Sequence, residues 1–183
     1  MKLSTLVPLL PAVLAFTPPS PGLSYLGHAT IAAFAPYRIG PSTFGNRNVY
    51  PLAGGTFTGP VFNATVPAYG GDWGLGNPAE GTFYVDARYQ LHTTDGVDIY
   101  VEANGPQQPE GVLHTRVRFE AGSDTPYGWL SGIVAVGITT PVLGSEGQVE
   151  GIEIDLWRLV NPSSVVGKGK GKGKGRGRKR RVA

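Results

Sequence analysis

Asp72 and Trp73 are the first residues whose types could do chemistry, and they directly follow the pair Gly70-Gly71. A glycine pair predicts a tight turn, which would present the carboxylate and the indole together. Asp72 or His114 is a candidate general base, with an arginine stabilising an enolate. The alternative is a turn carboxylate beside a buried tryptophan.

Two charged strand faces are candidate ligand-binding surfaces. Asp86 and Arg88 share one face of the segment 82–92, while Arg116 and Arg118 share a face of the segment 112–120 with His114. If these faces line a barrel, the arginine forks can bind an acidic or phenolic ligand. If they face outward, they are solvated surface with ion pairs of little energetic value. The aromatic residues proposed for the walls of such a site are Trp73, Tyr100, Tyr127 and Trp129.

The elements that must position these residues are β-strands, since apolar residues alternate with polar ones in short runs. The clearest run, 82–92, places Phe83, Val85, Ala87, Tyr89 and Leu91 on one face. About nine such strands predict an all-β fold, a single antiparallel β-barrel. Further expectations are a first strand at 26–34, a loop at 35–48, a strand break at Gly54-Gly55, an Asp95-Gly96 hairpin, strands at 97–104 and 112–120, a doubly buried strand at 128–140, and a last strand at 149–160.

Several classes of chemistry find no motif in the sequence. There is no cysteine, and the three histidines make no metal-binding spacing. No Gly-x-Ser-x-Gly elbow, phosphate loop or dinucleotide fingerprint is present. We therefore expect neither a metal nor a cofactor.

The two ends of the chain differ in composition from its middle. Residues 1–15 are typical of a secretory signal peptide and are too short and proline-interrupted for a membrane span. Residues 16–22 are a linker, 23–160 the barrel domain, and 161–183 a disordered basic tail. Secretion is expected, with glycosylation at the Asn63 sequon; without a signal peptide the protein would be cytoplasmic.

The net charge of +3 describes the tail rather than the domain. Nine of the 16 basic residues lie between Lys168 and Arg181, and residues 1–167 carry seven basic against 13 acidic side chains, a net charge of −6. The tail could bind anionic polymers, act as a nuclear address, be a processing site or have no partner.

Five segments in order resemble the domain of unknown function 3237 family, also called uncharacterised protein family 0311. They are GGTFTGP, GGDW, DARYQLHTTDGVDIYVEANG, FEAGSDTPYGWL and EIDLWRL, and the resemblance covers Leu23 to Val160. It implies a small antiparallel β-barrel and no settled activity. Many members have Asn where this chain has Ser131.

Three functions are open at this point. The first is a secreted barrel that binds a small aromatic or acidic molecule. The second is a cofactor-independent isomerase or cyclase of secondary metabolism, and the third is a structural or surface-interaction protein without a ligand.

Overall fold

The computed structural model describes residues 18–162, which form ten β-strands and one short 3-10 helix. The predicted signal peptide at 1–15 and the tail segment Lys168–Arg181 lie outside the described residues, so the anionic-polymer contact stays a prediction. The strands are β1 (Gly22–Ala33), β2 (Tyr37–Ser42), β3 (Gly45–Thr58), β4 (Asn63–Val66), β5 (Gly71–Asn77), β6 (Thr82–Thr93), β7 (Asp98–Pro106), β8 (Leu113–Glu120), β9 (Ala135–Leu143) and β10 (Val149–Val160), with the 3-10 helix at Gly128–Gly132.

The strands close into an antiparallel barrel of eight, which confirms the predicted fold class. The order is β1-β10-β9-β8-β7-β6-β4-β3, and β3 returns to β1 through pairs from His28↔Thr58 to Ala33↔Leu52. Closure leaves no free edge in this circuit, as a chain this rich in strand requires. Two further strands, β2 and β5, are added to it.

The position between β3 and β6 in the wall is filled by two short strands rather than one. β4 pairs with the end of β3 and with the end of β6, whereas β5 pairs with the beginning of both. The chain leaves the ladder between them, at residues 67–70. Gly70 has φ +94°, and a Cβ there would lie 2.6 Å from the Arg88 carbonyl oxygen, so this break requires glycine. Asp72 follows directly after the break.

Two expectations around β3 are wrong. Gly54-Gly55 does not separate two strands but lies inside β3, where the strand changes partners from β2 and β5 to β1 and β4. Gly54 has φ +111° at this change and the register of β1 with β3 shifts beside it. The segment 35–48 is not a loop, since it holds β2 and the start of β3. Because β2 pairs with β3 alone and is exposed along its length, it shows no alternation of burial that could predict a strand.

The expected doubly buried strand at 128–140 is also wrong. Its first part is the 3-10 helix, and β9 begins only at Ala135. Its apolar composition reflects a short helix that buries Leu130 against the barrel end rather than a strand covered on both faces. Ser131 fixes this helix, because its hydroxyl accepts from the Ala121 amide at 3.0 Å and donates to the Ala121 carbonyl at 3.3 Å.

The clearest predicted strands are found with the expected faces. β6 and β8 alternate strictly, with Val85, Ala87, Tyr89 and Leu91 buried on β6. Thr94-Asp95-Gly96 forms the β6–β7 hairpin, with Gly96 at φ +85°. Ile154 and Leu156 point inward from β10, and the Asn63 side chain is exposed as expected.

The core fills one end of the barrel and leaves the other end open. Phe57 stacks on Phe62 with ring centroids 4.8 Å apart, and Phe62 contacts Tyr127 at 5.0 Å. Leu130 of the 3-10 helix closes this packed end. The opposite end is where β1, β7 and β9 finish and β6, β8 and β10 begin, and its inward side chains surround a cavity.

We predict that Gly55→Ala destabilises the fold by about 1–3 kcal/mol, because the new methyl group would overpack the seam that closes the barrel. A Cβ at Gly55 would overlap the Thr30 carbonyl oxygen and lie 2.8 Å from the Ile31 Cα. Urea unfolding followed by tryptophan fluorescence measures the effect. Gly132→Ala is the matched control, because no atom lies within 4 Å of its Cβ position. Equal stability of both variants would contradict this account of the seam.

Candidate functional site

The open end of the barrel holds a cavity of about 280 Å³ with mainly apolar walls. The small side chains of Ala87 and Ala103 leave space for this cavity, because the two alanines pair with each other in the wall. Asp72 lies next to them, since it pairs with Ala87. Leu52, Val85 and Ile154 are among its apolar neighbours. The polar residues that line it are Tyr50, Asp72, Tyr89, Gln107, Thr115 and Thr139.

Asp72 is held in this wall by the gap in the β5–β6 ladder. Asp72 pairs with Ala87 and Leu75 with Tyr84, and between these pairs the Asp86 amide donates to the Asp72 carboxylate at 2.8 Å. A side chain thus takes the place of a ladder carbonyl. The arrangement fixes one carboxylate oxygen and leaves the group in the cavity wall.

Burial is the main influence on the Asp72 carboxyl and raises its pKa to about 6. The hydrogen bond from the Asp86 amide opposes this rise in the pKa, the Asp86 carboxylate adds to it, and Arg47 opposes it. A carboxyl with this pKa is present in both protonation states near neutral pH. It can therefore both donate and accept a proton.

Two tyrosines bring hydroxyl donors to the cavity. Tyr50 pairs with Asp72 across the β3–β5 ladder, so both side chains face the cavity. Burial first, and then the Asp72 charge, raise the pKa of Tyr50, while Arg38 lowers it. Tyr89 is 3% exposed, and burial is the cause that raises the pKa of its hydroxyl. Both tyrosines thus remain protonated at neutral pH and can donate to a ligand oxygen.

The charged faces proposed as ligand-binding surfaces lie on the outer wall, because their positions alternate with the buried ones on β6 and β8. Arg88 pairs with Asp86 at 2.8 Å, and Arg118 pairs with Glu102 at 2.6 Å and Glu120 at 2.8 Å. These are partly exposed surface ion pairs. The structure brings none of four candidates into the cavity: Arg88, Arg116, Arg118 and His114.

The candidate aromatic residues are also outside the cavity. Trp73 is exposed on the outer side of β5, and half-buried Tyr100 lies on the outer face of β7. Tyr127 packs in the closed end and donates to Asp95 at 2.9 Å. Trp129 lies under the Arg158 guanidinium, 5.1 Å from the ring centroid. Asp86 contributes its backbone amide to the site, so Asp72 is the one candidate whose side chain lines the cavity.

Sequence reasoning missed most of the polar cavity residues. Tyr89 shares the more apolar face of 82–92, and Thr115 shares the more apolar face of 112–120, but the pattern left open which face points inward. A tyrosine on an apolar face brings a hydroxyl that needs a partner, which is a signal that could have singled out Tyr89. Tyr50 carries no signal, because it lies between the expected loop at 35–48 and the glycine-rich segment that begins at Ala53.

Two properties can be stated for the described part of the chain, residues 18–162. No group of three or more His, Asp and Glu side chains there is arranged to hold a metal ion. No helix in this range has the length and hydropathy needed to cross a bilayer.

The fold and cavity define a small antiparallel β-barrel with one half-buried ionisable carboxyl facing an apolar interior. The chain belongs to the family of proteins of unknown function called DUF3237, whose model matches residues 21–159. The resemblance read from the sequence is thereby confirmed.

Relatives are found in fungi and bacteria. The hydroalkoxylation enzyme phnH of Penicillium herquei is 30% identical over 138 residues, which are 75% of this chain and 87% of that protein. A crystal structure of an enzyme from Penicillium herquei is similar with a TM-score of 0.63 at 25% identity, over 80% of this chain and 99% of that one. A β-barrel-like protein of Acinetobacter baumannii has a TM-score of 0.68 at 27% identity, over 79% and 99% of the two chains. A conserved protein of unknown function from Rhodopseudomonas palustris, 24% identical over 78% and 100% of the two chains with a TM-score of 0.69, supports the fold alone.

We predict that Asp72 makes the stability of the protein depend on pH between about 4 and 6. Since the folded pKa of about 6 lies above the ordinary value of 3.8, its contribution is present below about pH 4 and is lost as the pH rises through 6, by about 3 kcal/mol. Asp72→Asn keeps an oxygen for the Asp86 amide but does not titrate. The difference in unfolding free energy between Asp72→Asn and wild type should therefore grow in favour of the variant across this window. A difference that is constant from pH 4 to 7.5 would contradict the assignment.

Proposed function

We propose that this protein is a cofactor-independent enzyme that cyclises an apolar substrate. It adds the O–H of a hydroxyl group across a carbon–carbon double bond of the same molecule. The observation that carries the proposal is Asp72, a carboxyl with a pKa of about 6 in the wall of an apolar cavity. The relative named as a hydroalkoxylation enzyme supports the reaction type. Hydroalkoxylation is the addition of an alcohol O–H across an alkene, so it needs proton transfer and no redox change.

Asp72 can carry both proton transfers of such a reaction. The protonated carboxyl gives its proton to one alkene carbon, and the substrate hydroxyl oxygen bonds to the other carbon. The hydroxyl proton then passes to the Asp72 carboxylate, which restores the acid. One C=C π bond and one O–H bond are lost, one C–O bond and one C–H bond are formed, and the product is an isomer of the substrate.

The rest of the cavity suits an uncharged, largely apolar part of a substrate. Among the residues that line it, Asp72 is the one charged group, and the walls are mainly aliphatic and alanine side chains. A water-poor site strengthens each polar contact inside it. Tyr50 and Tyr89 can orient substrate oxygens by donating hydrogen bonds, and the Phe83 ring beside Tyr50 can support positive charge that develops on the alkene. We infer an aromatic or polyketide-like substrate.

We expect purified protein to cyclise members of a panel of alkenyl phenols and alkenyl-substituted aromatic ketones. Each product should have the same elemental composition as its substrate. In D₂O it should carry one deuterium on carbon, as measured by mass spectrometry and NMR. Asp72→Asn should lower the rate by about 10²-fold or more, the size expected for loss of a general acid–base residue. Asp124→Asn, which removes an exposed carboxylate, should leave the rate unchanged.

The outcomes separate the proposal from its alternatives. Full activity of Asp72→Asn would exclude the assigned role. Saturable binding of panel members without any turnover would instead support a small-molecule carrier, which the same cavity could serve.

We also infer from the sequence that the protein is secreted and glycosylated at Asn63. Asn63 is exposed at the start of β4, which leaves it accessible to modification. Protein from the medium of a fungal host should begin near residue 16, and Asn63→Gln should remove the mass of one glycan. A secreted or intracellular product that retains residues 1–15 would contradict the signal peptide, as intact mass spectrometry would show.

A further inference from the structure

An open surface depression of about 300 Å³ lies beside the barrel cavity and differs from it in chemistry. Tyr50 lines both, so the two are neighbours. We call the second one the polar alcove. Its main polar residues are Arg38, Asn46, Asn48, Tyr50, Asn77 and Thr82.

The alcove is built by the strands added to the eight-strand circuit. Arg38 of β2 pairs with Asn48 of β3, and Asn48 pairs with Gly74 of β5. Asn46, Asn48 and Tyr50 alternate along β3, so they share the face on which Tyr50 meets the barrel cavity. Gly76 pairs with Asn46 and, having no side chain, leaves the space in front of the two asparagines open.

Arg38 is the charged group of this alcove, and the ion pairs of the described chain do not use it. The pairs formed by arginines in residues 18–162 involve Arg88 and Arg118. Arg38 also makes no side-chain hydrogen bond within this range, although it is close enough to Tyr50 to lower the pKa of that hydroxyl. A guanidinium with free donors beside two amides is suited to an anionic oxygen.

We propose that the polar alcove binds an anionic group, such as a carboxylate, of the same molecule whose apolar part occupies the barrel cavity. Arg38 would then select amphipathic acids over neutral compounds of the same shape, with Asn46 and Asn48 as additional hydrogen-bond donors. This rests on the proposed function for the identity of the substrate, but the binding preference can be tested without turnover.

The test compares two fluorescent probes that share an N-phenyl-naphthylamine skeleton. One is anionic 8-anilino-1-naphthalenesulfonate and the other is neutral N-phenyl-1-naphthylamine. Arg38→Met should weaken binding of the anionic probe by about three- to tenfold, the size of a partly exposed charge-assisted hydrogen bond. It should leave the neutral probe unchanged, and Arg38→Lys should retain part of the preference. Added salt should weaken binding of the anionic probe to wild type, and it should weaken binding to Arg38→Met much less.

Arg116→Met is the matched control, since Arg116 is exposed on the outer wall of β8 and lines neither cavity. It should change neither affinity. The proposal is overturned if Arg38→Met affects neither probe, if it weakens both equally, or if Arg116→Met has the same effect. It is also overturned if wild type binds neither probe. Failure of the proposed function would appear separately, as absence of cyclised product with the probe preference intact.

Discussion

Closure of the barrel depends on one strand, β3, which pairs with four others. Its first half is paired with β2 and β5 and its second half with β1 and β4. A regular strand has two edges, so four partners require a change of partners along its length. This change falls at Gly54, which has φ +111°. Because β4 and β5 are separate, the ladder between β3 and β6 is broken, and this break is what gives Asp72 its place in the cavity wall.

Burial and the hydrogen bond made at this gap together set the protonation of that carboxyl. An ionised carboxylate in an apolar wall is unfavourable, and a pKa displaced from 3.8 to about 6 corresponds to about 3 kcal/mol. The hydrogen bond from the Asp86 amide offsets part of the cost of burial, so the group still titrates near neutral pH. The Asp72 carboxyl is thus neither fully solvated, which would make it a weak base, nor fully buried, which would keep it neutral.

Alternation along the strands was enough to predict the fold class, the β6–β7 hairpin and which residues of β6 and β8 share a face, but it left open which face points inward. The same alternation implies that Asp86 and Arg88 point outward once Val85 and Ala87 point inward, so the sequence already favoured the surface interpretation of the arginines. Less regular features were not predictable in this way. β2 has no buried face, the apolar segment at 128–132 is a short helix, and Asp72 lies in a strand beside a break rather than in a turn.

In the proposed reaction, the outward position of the arginines has a chemical consequence. An arginine beside Asp72 inside the cavity would favour the carboxylate and remove the acid that protonation of an alkene needs. Arg47 has this effect in a weak form, and Arg38 acts on Tyr50 from the neighbouring alcove. Under the proposed function, this arrangement keeps positive charge where it would bind the polar end of a substrate. Neutral tyrosine hydroxyls and an ionisable carboxyl remain at the apolar end, which favours proton transfer over stabilisation of an enolate by arginine.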